Sequence, residues 1–358
     1  VADALAAGVK AARPDAVIDV APVADGGEGT SEALVRATGG RTVETQARDP
    51  LGELVDAHYG ILGDGRTAAI DVAAASGLWR VPSGQRHPGF TTTYGTGELM
   101  LHAFAHGVKR IIVGLGGSAT NDAGAGLAQA LGYSLRDVDD RELPFGGFAL
   151  GRLDFIDPLK VREGLRQVEV IGACDVDNPL CGPNGASFVY GPQKGAEPRT
   201  CEMLDAALRH FGEYAEAEYG INVIDMPRAG AAGGLGAGLV VFCHAELRSG
   251  FDVVSEATGL PNRLDDADLV ITGEGRFDAQ SLHGKAPAGV ARLARERNTP
   301  CWVVAGAVDH LDEETLEIAG ISGALSMERL AGSAAASLAE PARFLQAAAA
   351  QAVAEACV

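Results

Sequence analysis

The chain has 358 residues, with 47% hydrophobic against 22% charged, which excludes a disordered chain and suits two packed domains better than one core. A formal net charge of −19 excludes a general nucleic-acid or anionic-membrane surface, though not a local site for a small anion. No apolar run approaches the roughly 20 residues that a bilayer span requires. The six cysteines show neither a CxxC pair nor zinc spacing, and so read as free thiols of a reducing cytoplasm.

Residues 1–12 read as an amphipathic helix rather than a secretory leader. Residues 16–23 (AVIDVAPV) form an apolar run with β-branched members and predict a buried strand. A glycine-rich turn follows, then a helix over 31–37 with Thr30 and Ser31 as candidate N-caps. Segments 41–46, 54–62 and 67–73 predict strands. The turns DPLG (49–52) and GDG (63–65) would join them into an antiparallel meander. A helix over 96–106, strands over 110–114 and 168–174, a helix over 202–219 and another over 235–245 come next. The tail alternates: strand 269–272, helix 287–297, strands 301–305 and 321–326, helix 341–354. Strand and helix alternate at both ends around an antiparallel middle. The predicted fold class is therefore α/β with two domains. Residues 1–39 and 265–358 would form a discontinuous flavodoxin/Rossmann-like parallel-sheet domain, and 40–264 an inserted mixed α/β domain. A doubly wound sheet normally opens on a strand, whereas this chain opens on a helix, so an opening strand is expected to precede it.

Four segments combine clustered glycine with acid, amide or lysine side chains. Glycine adopts positive φ and lets backbone N–H groups approach a ligand, and such loops between a strand and a helix bind anions. The first segment holds Asp25, Gly26, Gly27 and Glu28. The second, 114–126, holds Gly116, Gly117, Ser118, Asn121 and Asp122; it follows a strand and opens a helix, as a phosphate cradle should. The third places Asp175 and Asp177 at a strand end, where carboxylates can hold a divalent cation, with Lys194 in a glycine-rich stretch soon after. The fourth, 271–286, packs Glu274, Arg276, Asp278, Gln280, Ser281 and Lys285 into one loop after a buried strand. No G-x-x-x-x-G-K-[ST], G-x-S-x-G or H-E-x-x-H pattern occurs, which excludes the P-loop, hydrolase-elbow and zincin templates. Gly114, Gly116 and Ala119 satisfy G-x-G-x-x-A, a weak dinucleotide signal without the acidic strand end that should follow it.

The segments ADGGEGT (24–30), GTGELM (95–100), GLGGSATNDAGAG (114–126), ACDVDNPLCGPNGAS (173–187), YGPQKGA (190–196), AGAAGGLGAG (229–238) and ITGEGRFDAQSLHGK (271–285) together resemble the bacterial glycerate kinase family, in its order and spacing. The resemblance implies ATP-dependent phosphorylation of D-glycerate with Mg²⁺, on two α/β domains with the active site in the cleft between them. Family members open with a strand and an A-P-D-S-F-K-G type segment ahead of the helix that starts this chain. The stretch in hand is therefore expected to lack groups needed for turnover.

Phosphoryl transfer asks mainly for positioning and charge neutralisation. Gly116, Gly117, Ser118 and Asn121 are expected to cradle an anionic group, either ATP phosphate or glycerate carboxylate. Lys285 and Lys194 would neutralise charge on the phosphoryl oxygens. Asp175 and Asp278 are the metal or general-base candidates, and Arg276 could clamp the carboxylate. A homodimer is compatible with this reading. The alternatives are a degenerate kinase that binds a small organic acid without turnover, and an NAD-dependent dehydrogenase using Gly114–Ala119. The second leaves three of the four segments unexplained.

Overall fold

The computed structural model describes residues 1–24, 26–282, 286–309 and 311–356. The chain divides into two compact units, one of residues 24–254 and one that joins 1–23 to 255–358.

The larger unit is built on a six-stranded sheet. Its strands β1 (Arg41–Arg48), β2 (Leu54–Ile61), β3 (Thr67–Asp71), β4 (Arg110–Gly114), β7 (Glu169–Ala173) and β8 (Glu246–Arg248) lie in that spatial order, while β5 (Ser134–Arg136) and β6 (Phe155–Asp157) form a separate antiparallel pair. The meander β1–β2–β3 is antiparallel, as its turns demand. Asp49 Oδ1 accepts from the Leu51 and Glu53 N–H groups in the first turn, and Asp64 Oδ1 accepts from those of Arg66 and Thr67 in the second. From β3 onward the pairing turns parallel. β4 is buried at every residue but the first, which is why its sequence IIVG carries no polar alternation.

Helix Tyr94–Ala105 turns Leu99, Met100 and Ala103 into a core shared with Tyr59, Ile70, Ile111 and Val113. A second core lies under helix Pro198–Tyr219, whose Leu204, Leu208, Phe211 and Ala215 recur at spacings of four and three. Helix Ala231–Cys243 is entered through the expected glycine-rich turn, with positive φ at Ala232 (54°), Gly233 (71°) and Gly234 (85°).

The smaller unit carries a parallel three-stranded sheet, with β10 (Cys301–Val308) between β9 (Val270–Phe277) and β11 (Gly323–Ser326). Helix Ala2–Ala12 lies along helix Pro341–Ala356. They approach so closely that a Cβ on Gly8 would sit 2.2 Å from the Gln346 carbonyl oxygen. This helix contact, not strand pairing, unites the two ends of the chain. The strand expected over 16–23 does not form: β9, β10 and β11 pair only with one another, and Val17 is 98% exposed with no sheet face to cover.

Two further expectations change. Helix Thr30–Thr38 falls in the larger unit, not with the chain ends, because Ser31 bonds to Asp71 and Val35 packs over Gly60 of β2. Strand β9 runs to Phe277, so Glu274 and Arg276 sit in a strand and not in the loop after it. Its glycines permit this: a Cβ on Gly273 would meet the Val304 carbonyl oxygen at 2.2 Å.

Candidate active site

The parallel register brings Asp71, Gly114, Ala173 and Arg248 into one row at the carboxyl edge of the larger sheet. Ligands of open α/β sheets bind at this edge. Three of the glycine-rich segments meet there. Gly116 N–H donates to the Gly26 carbonyl at 3.2 Å, and Leu115 N–H to the Ala173 carbonyl at 3.1 Å. A Cβ on Gly116 would lie 2.6 Å from Gly27 Cα, and one on Gly26 would lie 2.4 Å from the Ala173 oxygen. The glycines thus serve backbone-to-backbone stacking of loops as well as any ligand. Glu28 and Gly117 are exposed at this edge, and Gly27 and Gly116 half-buried.

Behind the loop 115–124 lies a buried polar framework. Lys194 is 2% exposed, and its Nζ donates to Ser118 Oγ at 2.9 Å and to the Thr120 carbonyl at 2.7 Å. Burial pulls its ammonium down to about 7, against the opposing charge of Asp122. Asn121 Nδ2 donates to Ser187 Oγ at 2.9 Å. Thr120 Oγ1 and Asn121 Oδ1 are buried without a protein partner, a kind of defect that calls for a functional explanation.

The helix start that follows the expected cradle is capped from within. Asp122 is fully buried and accepts from the Gly124 and Gly126 N–H groups and from the Thr93 N–H and hydroxyl. It takes the place of an anion at the start of helix Ala125–Leu131, and burial raises its carboxyl above the usual range. Asp71 does the same for helix Thr30–Thr38, accepting from Gly29 N–H, Ser31 N–H and the Ser31 hydroxyl at 2.9–3.1 Å. The N-cap position there belongs to Gly29, not to Thr30 or Ser31. Asp175 Oδ1 accepts from the Ser249 hydroxyl and Gly250 N–H, both at 2.9 Å, at the start of helix Gly250–Ala257. Three carboxylates near one sheet edge therefore anchor three helix starts. Asp122 and Asn121 are both fully buried in this framework.

In the smaller unit, Asp278 Oδ1 accepts from Ser281 N–H at 3.0 Å and from the Ser281 hydroxyl at 3.3 Å, a tight Asp-x-x-Ser turn past the end of β9. Ser281 is fully buried. Arg276, nominated for a carboxylate clamp, holds both oxygens of Asp309 from Nη2 at 2.7 and 3.1 Å. Glu274 is half-buried on β9. Asp25, Lys285 and the side chain of Gln280 lie outside the described residues.

Among the described residues, no three His, Cys, Asp or Glu side chains converge to hold a metal ion. Asp175 and Asp278 belong to different units; Asp175 gives Oδ1 to the distant Ser249 and Gly250, and Asp278 gives Oδ1 to Ser281 in its own turn. The residues described do not build a Mg²⁺ cage. The five described cysteines are free, and burial pushes the Cys174 thiol beside Asp175 up to about 12, out of nucleophilic range. No helix among the described residues is long and apolar enough to cross a membrane.

Sequence reasoning missed Asp71, Thr93, Ser187 and Ser249. Asp71 had a usable signal, an acid closing a strand at the carboxyl edge. Ser187 closes the quoted segment 173–187 without a signal of its role, and Thr93 and Ser249 lie outside every quoted segment.

The model of the glycerate kinase family matches residues 1–357. A glycerate kinase of Bacillus subtilis (strain 168) is 50% identical over 307 residues, covering 86% of this chain and 80% of its own length. A glycerate 2-kinase of Escherichia coli (strain K12) is 49% identical over 308 residues, covering 86% and 81%. A crystal structure assigned to glycerate kinase 2 of Salmonella typhimurium LT2 superposes with a TM-score of 0.83 at 45% identity, over 96% of this chain and 92% of that one. With the motif loops gathered at one sheet edge and matches of this length and identity, the chain belongs to the glycerate kinase family.

Proposed function

We propose that this chain transfers the γ-phosphoryl group of ATP to a hydroxyl of D-glycerate, giving a phosphoglycerate. The observation that carries the reading is the convergence of the family's glycine-rich segments on the carboxyl edge of the parallel strands, in a chain about half identical to glycerate kinases. Such a reaction needs positioning and neutralisation of phosphoryl charge, which a rigid loop framework supplies without covalent chemistry.

Gly116, Gly117 and Ser118 form the turn where an anionic group docks, with Gly117 exposed, Gly116 half-buried and Ser118 buried. Ser118 accepts a hydrogen bond from Lys194, which leaves its own hydroxyl hydrogen free to donate to a bound anion. Lys194 thereby acts on the turn and not on phosphate directly. Asp278 remains the candidate general base for the acceptor hydroxyl, and Lys285 the candidate for phosphoryl charge. The described carboxylates form no cation cage, and Mg²⁺ would arrive on the nucleotide phosphates and be held with them by one or two protein carboxylates. The activity belongs in the cytoplasm, where ATP is supplied.

The test is ADP release by the full-length protein with ATP, Mg²⁺ and D-glycerate. Phosphorus NMR of the product separates 2- from 3-phosphoglycerate. Turnover supports the reading. Silence, with folded protein, overturns it.

A further inference from the structure

Arg228 stands apart from the other arginines of the larger unit. Its backbone is left-handed, φ 69°, a strained conformation for a residue with a long side chain. It opens the turn that leads through Ala232, Gly233 and Gly234, and this turn is bolted to both glycine-rich loops. Gly230 N–H donates to the Asn178 carbonyl at 3.0 Å, and Ala123 N–H donates to the Gly233 carbonyl at 3.2 Å. The Arg228 carbonyl is itself fixed, accepting from Ala231 N–H at 3.0 Å and crowding Gly236, where a Cβ would lie 2.4 Å away.

The guanidinium is held toward the loop after β7. Nη2 forms an ion pair with Asp177 Oδ1 at 3.0 Å, while Nε is buried with no partner. Nε and Nη2 form the edge that grips a carboxylate with two parallel bonds. Here the edge is half used, and the carboxylate on it belongs to a side chain that is 73% exposed. An ion pair that open to solvent contributes little and exchanges readily. A buried Nε–H without an acceptor is costly to keep. Among the described residues, the un-ionised Cys174 thiol feels the Arg228 charge, and Asp175 beside it in the chain gives Oδ1 to Ser249 and Gly250.

We propose that Arg228 is the receptor for the carboxylate of the acceptor acid, and that Asp177 occupies its place until the acid displaces it. The identity of that acid rests on the kinase reading above. The chemistry fits a small 2-hydroxy acid: the fork takes the carboxylate and leaves the neighbouring hydroxyls to the phosphoryl donor.

The experiment compares wild type with Arg228→Gln, Arg228→Lys and Asp177→Asn, using D-glycerate and its neutral analogue glyceramide as acceptors. Wild type should prefer glycerate to glyceramide by about 10²-fold in kcat/KM, since a site built for a polar group rejects the analogue lacking it. In Arg228→Gln the KM for glycerate should rise at least ~10-fold, the KM for ATP should stay within about twofold, and the preference over glyceramide should collapse. Arg228→Lys keeps the charge without the fork and should fall between; it also serves if the glutamine variant does not fold. Asp177→Asn removes the competing carboxylate and should leave the KM for glycerate equal or lower. A preference that survives in both Arg228 variants, or a loss confined to the KM for ATP, overturns the proposal while leaving the kinase reading intact. Failure of wild type to phosphorylate glycerate would instead sink the reading on which it rests.

Discussion

Lys194 donates to the Ser118 hydroxyl at 2.9 Å from a position buried beneath the glycine-rich loop, with the Thr120 carbonyl as its second acceptor. This ammonium is the loop's internal support, and it titrates far below an ordinary lysine, about 7 against 10.5. The sign of the pH effect follows. Between pH 7 and 10.5 the folded chain carries the neutral amine and the unfolded chain the cation, so the unfolded state binds more protons and stability rises with pH. Lys194→Met removes that term. The stability of wild type minus that of Lys194→Met should therefore climb between pH 7 and 9, by up to about 1.4 kcal/mol per unit. Urea titrations of both proteins at pH 7, 8 and 9 measure it; a flat difference would show that Lys194 stays charged in the folded chain. The variant should also lose at least ~10-fold in kcat/KM, because Ser118 loses its fixed orientation.

Asp71 should resist isosteric replacement. Its two oxygens accept three bonds, from Gly29 N–H, Ser31 N–H and the Ser31 hydroxyl. Asparagine offers one acceptor oxygen and turns an amide N–H₂ toward donors. Asp71→Asn should cost about 1–3 kcal/mol despite conserved shape, as an unmade buried hydrogen bond does. Hydrogen exchange at Gly29 and Ser31 should accelerate. Wild-type protection at both amides would mean that Asp71 is not the cap of helix Thr30–Thr38.

Much of this frame was legible in the residues, and the exceptions have physical causes. The meander was readable because its turns carry Asp49, Pro50, Gly52 and Asp64, whose side chains and backbone preferences act locally. β4 and β7 were readable as short apolar runs bounded by glycine. Residues 16–23 have the same local pattern and form no strand, because pairing depends on a partner that local pattern does not report. The site splits the same way. Gly116, Gly117 and Ser118 announced themselves as a motif. The roles of Asp122, Asp71 and Asp175 as internal anions did not, since each is defined by donors up to 75 positions away. Carboxylates that look like ligands in a string of letters become helix anchors once those donors are in place.

The glycines of the stacked loops can be separated from glycines that merely turn. Gly116 has an ordinary backbone conformation, yet a Cβ there meets Gly27 Cα at 2.6 Å and Glu28 N at 3.4 Å, and neither can move alone. Gly65 has φ 65° in an exposed hairpin turn, with nothing within 4 Å of its would-be Cβ. Gly65→Ala should lower stability by roughly 1–2 kcal/mol, the cost of the left-handed region, and leave kcat/KM unchanged. Gly116→Ala should cut kcat/KM at least ~10-fold by parting the two loops. Equal kinetics for the two variants would dissolve the distinction.

Asp278 offers the sharpest separation of chemistry from scaffold. Its Oδ1 closes the turn onto Ser281, a bond that asparagine can also make through its carbonyl oxygen. Asp278→Asn therefore keeps the turn and removes the charge, whereas Ser281→Ala keeps the charge and breaks the hydroxyl's bonds. If Asp278 takes the proton of the acceptor hydroxyl, Asp278→Asn should lose at least ~10²-fold in kcat with little change in either KM. Ser281→Ala should cost stability first and kcat less. Were the two variants to lose kcat equally, Asp278 would be a turn residue only, and the proton would have to leave through another group.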